Sequence, residues 1–259
     1  MSQLYPPHFL FLVIAFLFLG VSGVQAKSTV LITGSNRGLG LEMARQYAER
    51  GYKVIATARN PDQAEALHAL AAANPNVVIE KLDVTDHGAI DALAEKYQGE
   101  PIDILLNNAG MSPPGETQKF GQIDFEFFDQ AMHVNAFASL KMSEAFVENV
   151  AASEQKKIVA VSSYMSSISL NRGGSYFYRT SKAALNQIMV TLSYELKGRG
   201  IAVGLVNPGS TATDLMRNMT NRPLRDPKVS AADMIRNIDG LTVETAGKLV
   251  QYDGSIIPW

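Results

Sequence analysis

The amino-acid sequence predicts an α/β fold: a single doubly wound parallel sheet with helices on both faces. Three observations lead there. From Thr29 onward, short apolar runs rich in β-branched residues alternate with amphipathic helical stretches, the order expected when a crossover helix follows each strand. The strands read as near-continuous apolar segments, as strands buried on both faces must. No internal repeat or low-complexity linker divides the chain of 259 residues, a length that one α/β domain fills.

In order, Val30-Leu31-Ile32 reads as the first strand and Leu39 to Arg50 as the helix after it, closed by Gly51 in the left-handed cap position. Val54 to Ala58 is a second strand, Pro61 to Ala73 an Ala-rich helix, Val77 to Ile79 a strand, His87 to Tyr97 a helix and Ile102 to Leu106 the fourth strand. Phe125 to Val150 reads as one long helix, Lys157 to Val161 as a strand, Tyr178 to Lys197 as a helix ended by Gly198, and Ile201 to Val206 as a strand. Residues 211–228, rich in Asn, Arg and Pro, read as a loop with at most one short helix. Ser230 with Asp233 three residues on suggests a capping box opening a helix that Gly240 ends. Lys248 to Val250 is a last short strand.

A formal net charge of −2 and the absence of a Lys/Arg block provide no electrostatic basis for a nucleic-acid partner. With no cysteine, disulfides, thiolate nucleophiles and Cys-based zinc sites are excluded, while the redox compartment stays open. The four His residues, at 8, 68, 87 and 133, have no ligand spacing, so no metal is expected. Phe9 to Val21 is an unbroken apolar run leading to Val24-Gln25-Ala26. One reading is a secretory signal cleaved after Ala26, although no basic residue precedes the run. The other is a retained anchor over Phe9 to Ala26, with Lys27, Arg37 and Arg45 on its far side holding the domain in the cytoplasm. A third is a start codon placed too far upstream. The expected organisation is residues 1–26 as signal peptide or membrane anchor and 27–259 as one domain.

The first strand runs into Thr33-Gly34-Ser35-Asn36-Arg37-Gly38-Leu39-Gly40 and then into a helix. Glycines permit a tight turn and close approach of a ligand, and a helix N-terminus supplies free N–H groups and partial positive charge for a pyrophosphate. The spacing differs from GxGxxG, so the strand-before, helix-after context carries the reading; the alternative is a glycine-rich turn with no ligand. The second strand ends at Ala58-Arg59, where an NAD-binding protein carries an acid for the ribose 2′-hydroxyl. Arg59, with Arg37 as a second cation, instead suits a 2′-phosphate, which favours NADP(H). Two solvated surface arginines are the alternative.

Tyr178 and Lys182 are four residues apart in a helical stretch and share one face. A phenol is a poor acid or base at neutral pH, and a neighbouring ammonium stabilises its phenolate, which suits proton exchange with a carbonyl oxygen. Alone, such a pair is ordinarily an exposed helical pair. Asp83-Val84, Asn107-Asn108-Ala109-Gly110 and Ser162-Ser163 follow the third, fourth and fifth strands, at the edge where open parallel sheets bind ligands. Asn135 is an amide in an otherwise apolar stretch; its alternative reading is a structural amide bonded to backbone.

TGSNRGLG at 33–40, LDV at 82–84, NNAG at 107–110, Asn135, Ser163, YRTSK at 178–182 and NPG at 207–209 resemble, in order, the full motif set of the short-chain dehydrogenase/reductase family, whose Rossmann-type domain would cover Thr29 to Trp259. SYFYRTSKAALN, IRNIDGLT and the terminal YDGSIIPW are similar to its C-factor and Sniffer-like carbonyl reductase branch, which is NADPH-dependent. The resemblance implies a reductase of aldehydes, ketones or quinones. In it Tyr178 would be the general acid/base, Lys182 its pKa modulator and ribose ligand, Ser163 a donor to the carbonyl oxygen, and Asn135 the holder of a relay water. Asp83 and Val84 would meet the adenine, and Asn107, Ala109 and Gly110 the adenosine ribose side. After Pro208 and Gly209, Thr211 and Thr213 would meet the nicotinamide carboxamide. Ser163 and Tyr178 stand further apart than in many members, the excess falling in Asn171 to Gly174. Leu215, Met216 and Met219 suggest an adaptable apolar wall over the substrate. A homodimer through the helices at 125–150 and 178–197 is also implied. The competing reading is an NADP(H)-binding sensor or signalling protein with incidental turnover.

Overall fold

In a computed structural model of the chain, residues 1–2, 28–216 and 223–259 are described. The apolar segment at 9–26 and Met219 lie outside them, and among the described residues no helix is long and apolar enough to cross a membrane.

The strands are β1 (Thr29–Ile32), β2 (Lys53–Ala58), β3 (Val77–Lys81), β4 (Ile104–Asn107), β5 (Gln118–Lys119), β6 (Gln122–Ile123), β7 (Lys157–Val161), β8 (Ala202–Asn207), β9 (Leu249–Gln251) and β10 (Ile256–Ile257). The α-helices are α1 (Gly38–Glu49), α2 (Glu65–Ala73), α3 (His87–Lys96), α4 (Phe125–Met132), α5 (Ala138–Ala151), α6 (Tyr176–Leu196) and α7 (Pro227–Asp239). Eight strands make one sheet in the order β10-β9-β8-β7-β4-β1-β2-β3. All neighbours are parallel except β10, which turns back antiparallel on β9. Winding runs outward from β1 to β3 on one side and from β4 on the other, so the strand order reverses between β1 and β4. A crevice opens at their C-terminal ends.

The pleat sends alternate residues of each strand into two separate cores. Leu31, Ile55, Leu105 and Ile158 meet Ile90 of α3, Met142 and Phe146 of α5, and Leu185 and Met189 of α6. Val30, Ile32, Val54 and Leu106 meet Met43 and Tyr47 of α1, Leu67 of α2, and Met234 and Ile238 of α7. This is the doubly wound arrangement with helices on both faces that the apolar strand runs predict.

Local signals explain where the elements differ from the sequence reading. The expected helix at 125–150 is continuous but passes through a π-helical turn, His133–Phe137, between α4 and α5. α6 starts at Tyr176 and runs past Gly198 through a 3₁₀ turn, and Gly200, at φ 72°, ends it. Gly198 is therefore not the terminator, because the left-handed conformation that stops a helix falls two residues later. The capping box at Ser230 does not form either. α7 begins at Pro227, with the Asp226 carboxylate accepting the Lys228 N–H at 2.7 Å, since proline suits the first helical position and Asp an N-cap. Ser230 and Asp233 lie inside that helix: Ser230 accepts from Thr211 Oγ1 at 2.9 Å, and Asp233 pairs with Arg225 and Arg236. The β5–β6 hairpin and β10 have too few residues to carry a periodic signal.

Gly40 decides how closely α1 approaches the turn after β1. A Cβ there would stand 2.2 Å from the Gly34 carbonyl oxygen and 2.5 Å from Asn108 Nδ2. Gly40→Ala is expected to cost about 1–3 kcal/mol, as overpacking does, and to lower Tm by about 2–4 °C per kcal/mol. Gly198→Ala, with nothing within 4 Å of the added methyl, should leave Tm at the parent value. Equal melting temperatures for Gly40→Ala and the parent would contradict this packing account.

Candidate active site

The turns after β1 and β4 are tied together by side chains. Thr33 Oγ1 accepts the N–H groups of Asn108 and Ala109, each at 3.0 Å, and Asn108 Nδ2 donates to the carbonyls of Thr33 at 2.8 Å and Gly34 at 3.1 Å. Ser35 bonds back to the Ile32 carbonyl through its hydroxyl at 2.9 Å and to the Thr57 carbonyl through its N–H at 2.7 Å. Gly34, at φ 69°, lies so near Ala109 that a Cβ would be 3.0 Å from its Cα. Gly34 and Gly40 are thus required by the protein's own packing, and the result is a bare backbone floor.

That floor fits a diphosphate. Asp86, Asp124 and Asp226 cap α3, α4 and α7, each carboxylate accepting a first-turn N–H. α1 has no side-chain cap at Arg37 and no acid in its first turn, so its N–H groups and positive dipole end are left for an outside anion. Asn36 and Arg37 beside it are exposed, with Leu39 packed under the turn. Arg59, just past β2, is exposed. Arg37 is engaged, pairing with Asp214 at 3.0 Å, but an exposed pair of this kind holds weakly. Asp83 Oδ1 accepts both the N–H and the hydroxyl of Thr85, at 3.0 and 2.7 Å, while Val84 is buried. Asn107, 4% exposed, has neither side-chain atom hydrogen-bonded.

The residues expected to be catalytic converge at the ends of β7 and β4. Lys182, 4% exposed on α6, donates to the carbonyl of Val161, the last residue of β7, at 2.8 Å. Burial pulls its pKa down to about 8. Burial pushes Tyr178 above its ordinary value, and a hydrogen bond with Ser163 opposes that rise. Ser162, by contrast, is buried with its hydroxyl given to Asn186 Oδ1 at 2.6 Å, so the second serine of the pair is the one facing the tyrosine. Asn135, 1% exposed in the π-turn, accepts the Met111 N–H at 2.8 Å and donates to the Met111 carbonyl and Ser181 Oγ, both at 2.9 Å. Both amide hydrogens are spent, so the side chain is a brace between the NNAG turn and α6. A Cβ on Gly110 would lie 3.3 Å from Asn135 Oδ1 and 3.5 Å from Lys182 Nζ, which puts the brace and the ammonium at the same turn.

The segment after β8 closes the site. Pro208 is buried, and the space beside Gly209 is filled by Tyr252 and Arg225. Thr211 is buried toward α7, whereas Thr213 lies over the glycine turn, its Cγ2 3.4 Å from where a Cβ on Gly38 would be. Leu215 is exposed and Met216 half-buried.

Three contributors escaped the sequence reading. Arg179, next to Tyr178, draws in the long 171–174 loop by donating to the carbonyls of Gly173, Gly174 and Met165 at 3.2, 3.0 and 3.2 Å. Gln118, in a segment with no periodic signal, accepts the Phe177 N–H at 3.1 Å and donates to the Pro113 carbonyl at 3.0 Å; it caps α6, whose own Ser175 does not. Asn186 is the third, and its signal was present: a polar residue one turn past Lys182 on the same face.

The short chain dehydrogenase family model matches residues 28–223. The 1-hydroxy-2-glutathionyl-2-methyl-3-butene dehydrogenase of Rhodococcus sp. (strain AD45) is 32% identical over 236 residues, 90% of this chain and 100% of that protein. Among solved structures, the carbonyl reductase Sniffer of D. melanogaster is 27% identical with a TM-score of 0.82, over 90% of this chain and 100% of that one. The NADPH-bound carbonyl reductase from chicken fatty liver is 28% identical with a TM-score of 0.83, over 90% and 99%. A family match over most of the chain, with a relative aligned along its whole length, agrees with the sheet order and the Ser163–Tyr178–Lys182 geometry: this chain belongs to the short chain dehydrogenase family.

Proposed function

We propose that the chain is an NADPH-dependent carbonyl reductase acting on small or medium lipophilic aldehydes, ketones or quinones. The observation that carries the reading is the hydrogen-bonded Ser163–Tyr178 pair, one helical turn from buried Lys182, at the crevice edge of the sheet. NADPH, when bound, supplies the hydride that the carbonyl carbon accepts. The Ser163 and Tyr178 hydroxyls hold the carbonyl oxygen, and Tyr178 gives it the proton that completes the alcohol. A tyrosine whose pKa burial raises keeps that proton at neutral pH, ready for the reduction direction. The Lys182 ammonium offsets the phenolate charge left behind and holds the nicotinamide ribose.

The uncapped start of α1 takes the diphosphate, with Arg59 and the exchangeable Arg37 on the 2′-phosphate. The NADPH-bound chicken reductase supports that cofactor, and exposed Leu215 with Met216 supports a lipophilic substrate. A sensor with incidental turnover has no need of the Ser163–Tyr178–Lys182 set, and the oxidoreductase relatives favour turnover.

Tyr178→Phe should bind NADPH as the parent does, by fluorescence titration, and lose about 10²–10⁴-fold in kcat, the usual contribution of a positioned acid; turnover at the parent rate would remove Tyr178 as the acid. Arg59→Asp should weaken NADPH binding by about tenfold or more, as loss of a charged hydrogen bond does, and improve NADH; unchanged NADPH affinity would contradict the phosphate assignment. Lys182 is charged below its pKa of about 8 and neutral above it. The kcat/KM for reduction should therefore be level below that point and fall as pH rises through it. A pH–rate profile that climbs there would contradict the role of its charge.

A further inference from the structure

We propose that Asn186 is a positioning residue for Ser163: its buried carboxamide, clamped between Ser162 and Ser166, holds the turn on which the carbonyl-binding hydroxyl sits. The inference rests on the roles proposed for Ser163 and Tyr178 and adds a residue to them.

Asn186 is 4% exposed on α6, one turn beyond Lys182 and two beyond Tyr178. It faces the 3₁₀ turn Tyr164–Ser166 that follows β7. Its Oδ1 accepts from Ser162 Oγ at 2.6 Å, and its Nδ2 donates to Ser166 Oγ at 2.7 Å. Ser166 Oγ then donates to the Ser163 carbonyl at 2.5 Å. A hydroxyl has one proton to give. Ser166 gives its proton to Ser163, so it must receive one from the amide, which fixes which end of Asn186 faces which serine. The chain of donors thus has a single direction and ends on the backbone of Ser163.

The Ser163 hydroxyl is held from its other side by the Met165 N–H at 3.1 Å. Backbone and side chain of Ser163 are therefore both tied within one turn, and that turn is bolted to the helix carrying Tyr178. Ser162, Ser166 and Asn186 are buried, where a satisfied polar network rigidifies its surroundings, and Ser163 at its end is half-buried at the crevice. Two plain core contacts between β7 and α6 would have served stability alone, and apolar residues could make them. A directional amide relay ending on the serine that meets Tyr178 sets the distance between two hydroxyls that must share one carbonyl oxygen.

The test uses the full chain with NADPH and para-nitrobenzaldehyde, reading Tm, NADPH affinity by fluorescence, and kcat and KM separately. Asn186→Leu removes the amide and keeps the branching of the side chain at a larger volume, and Ser166→Ala deletes only the last hydroxyl of the relay, so it carries the test if the first variant does not fold. In either variant kcat should fall about 10- to 100-fold, the scale of a small misplacement of a catalytic group, with NADPH affinity kept within about twofold. In a Ser163→Ala background the same substitutions should change kcat by less than about twofold, because a residue acting through Ser163 has nothing left to position. A lowered Tm with parent kcat, or losses that multiply with Ser163→Ala, would overturn the proposal. Parent-rate turnover by Tyr178→Phe would instead fault the catalytic assignment beneath it, so the two failures are distinguishable.

Discussion

The joining of the turns after β1 and β4 is the constraint on which the rest of this structure depends. These strands are neighbours in the sheet, but their connections leave in opposite directions, so their ends would splay without a tie. Thr33 and Asn108 make that tie with four hydrogen bonds. The missing side chains of Gly34 and Gly40 let the two turns and the start of α1 come within backbone contact. The consequence is a floor with no side chain on it, ending at a helix whose first N–H groups have no internal acceptor. An anion would meet backbone N–H groups on that surface, with Thr213 and the Arg37–Asp214 pair at its margin. The uncapped helix would be a local weakness elsewhere; here it is compensated by the buried face of α1, with Met43, Ala44 and Tyr47 in the core.

Chemistry at the other end of the crevice follows from burial of α6. That helix is capped from outside by Gln118, braced by Asn135 through Ser181, and joined to β7 by Lys182 and Asn186. A lysine placed there donates to a strand-end carbonyl and has its charge made costly, so its pKa falls to about 8. A tyrosine placed there holds its proton more firmly. One desolvating environment thus moves a base and an acid in opposite directions and spreads their titrations apart, so that the tyrosine keeps its proton over a range in which the lysine loses its own. Ser163 adjusts the tyrosine further, and its own position is set by a short polar relay.

How much of this could be read in the sequence depended on whether the signal was periodic or tertiary. The strands of the parallel sheet were legible as short, near-continuous apolar runs bounded by turn residues, the helices by apolar positions at helical spacing, and β7 was read at its observed bounds. Glycine and proline were harder. Gly51 sits at the left-handed cap as expected, but Gly198 was passed over for Gly200, and Pro227 was taken for loop when it opens α7. The motif residues quoted from the sequence lie together at one crevice. Their partners were not legible: that Thr211 turns under α7, that Arg37 meets Asp214, and that Asn135 spends its amide on Met111 are contacts across long sequence separation. No local pattern encodes them.

The central claim is that the chain moves a hydride from NADPH to a carbonyl carbon while its own tyrosine supplies the proton. Isotope transfer tests this most directly. With NADPH deuterated at the transferable position of the nicotinamide and a turned-over aldehyde, the account predicts one deuterium on the carbinol carbon of the alcohol, read by mass spectrometry and NMR. Alcohol formed without cofactor deuterium on carbon, or cofactor bound tightly with no labelled product across a panel of lipophilic carbonyls, would contradict it.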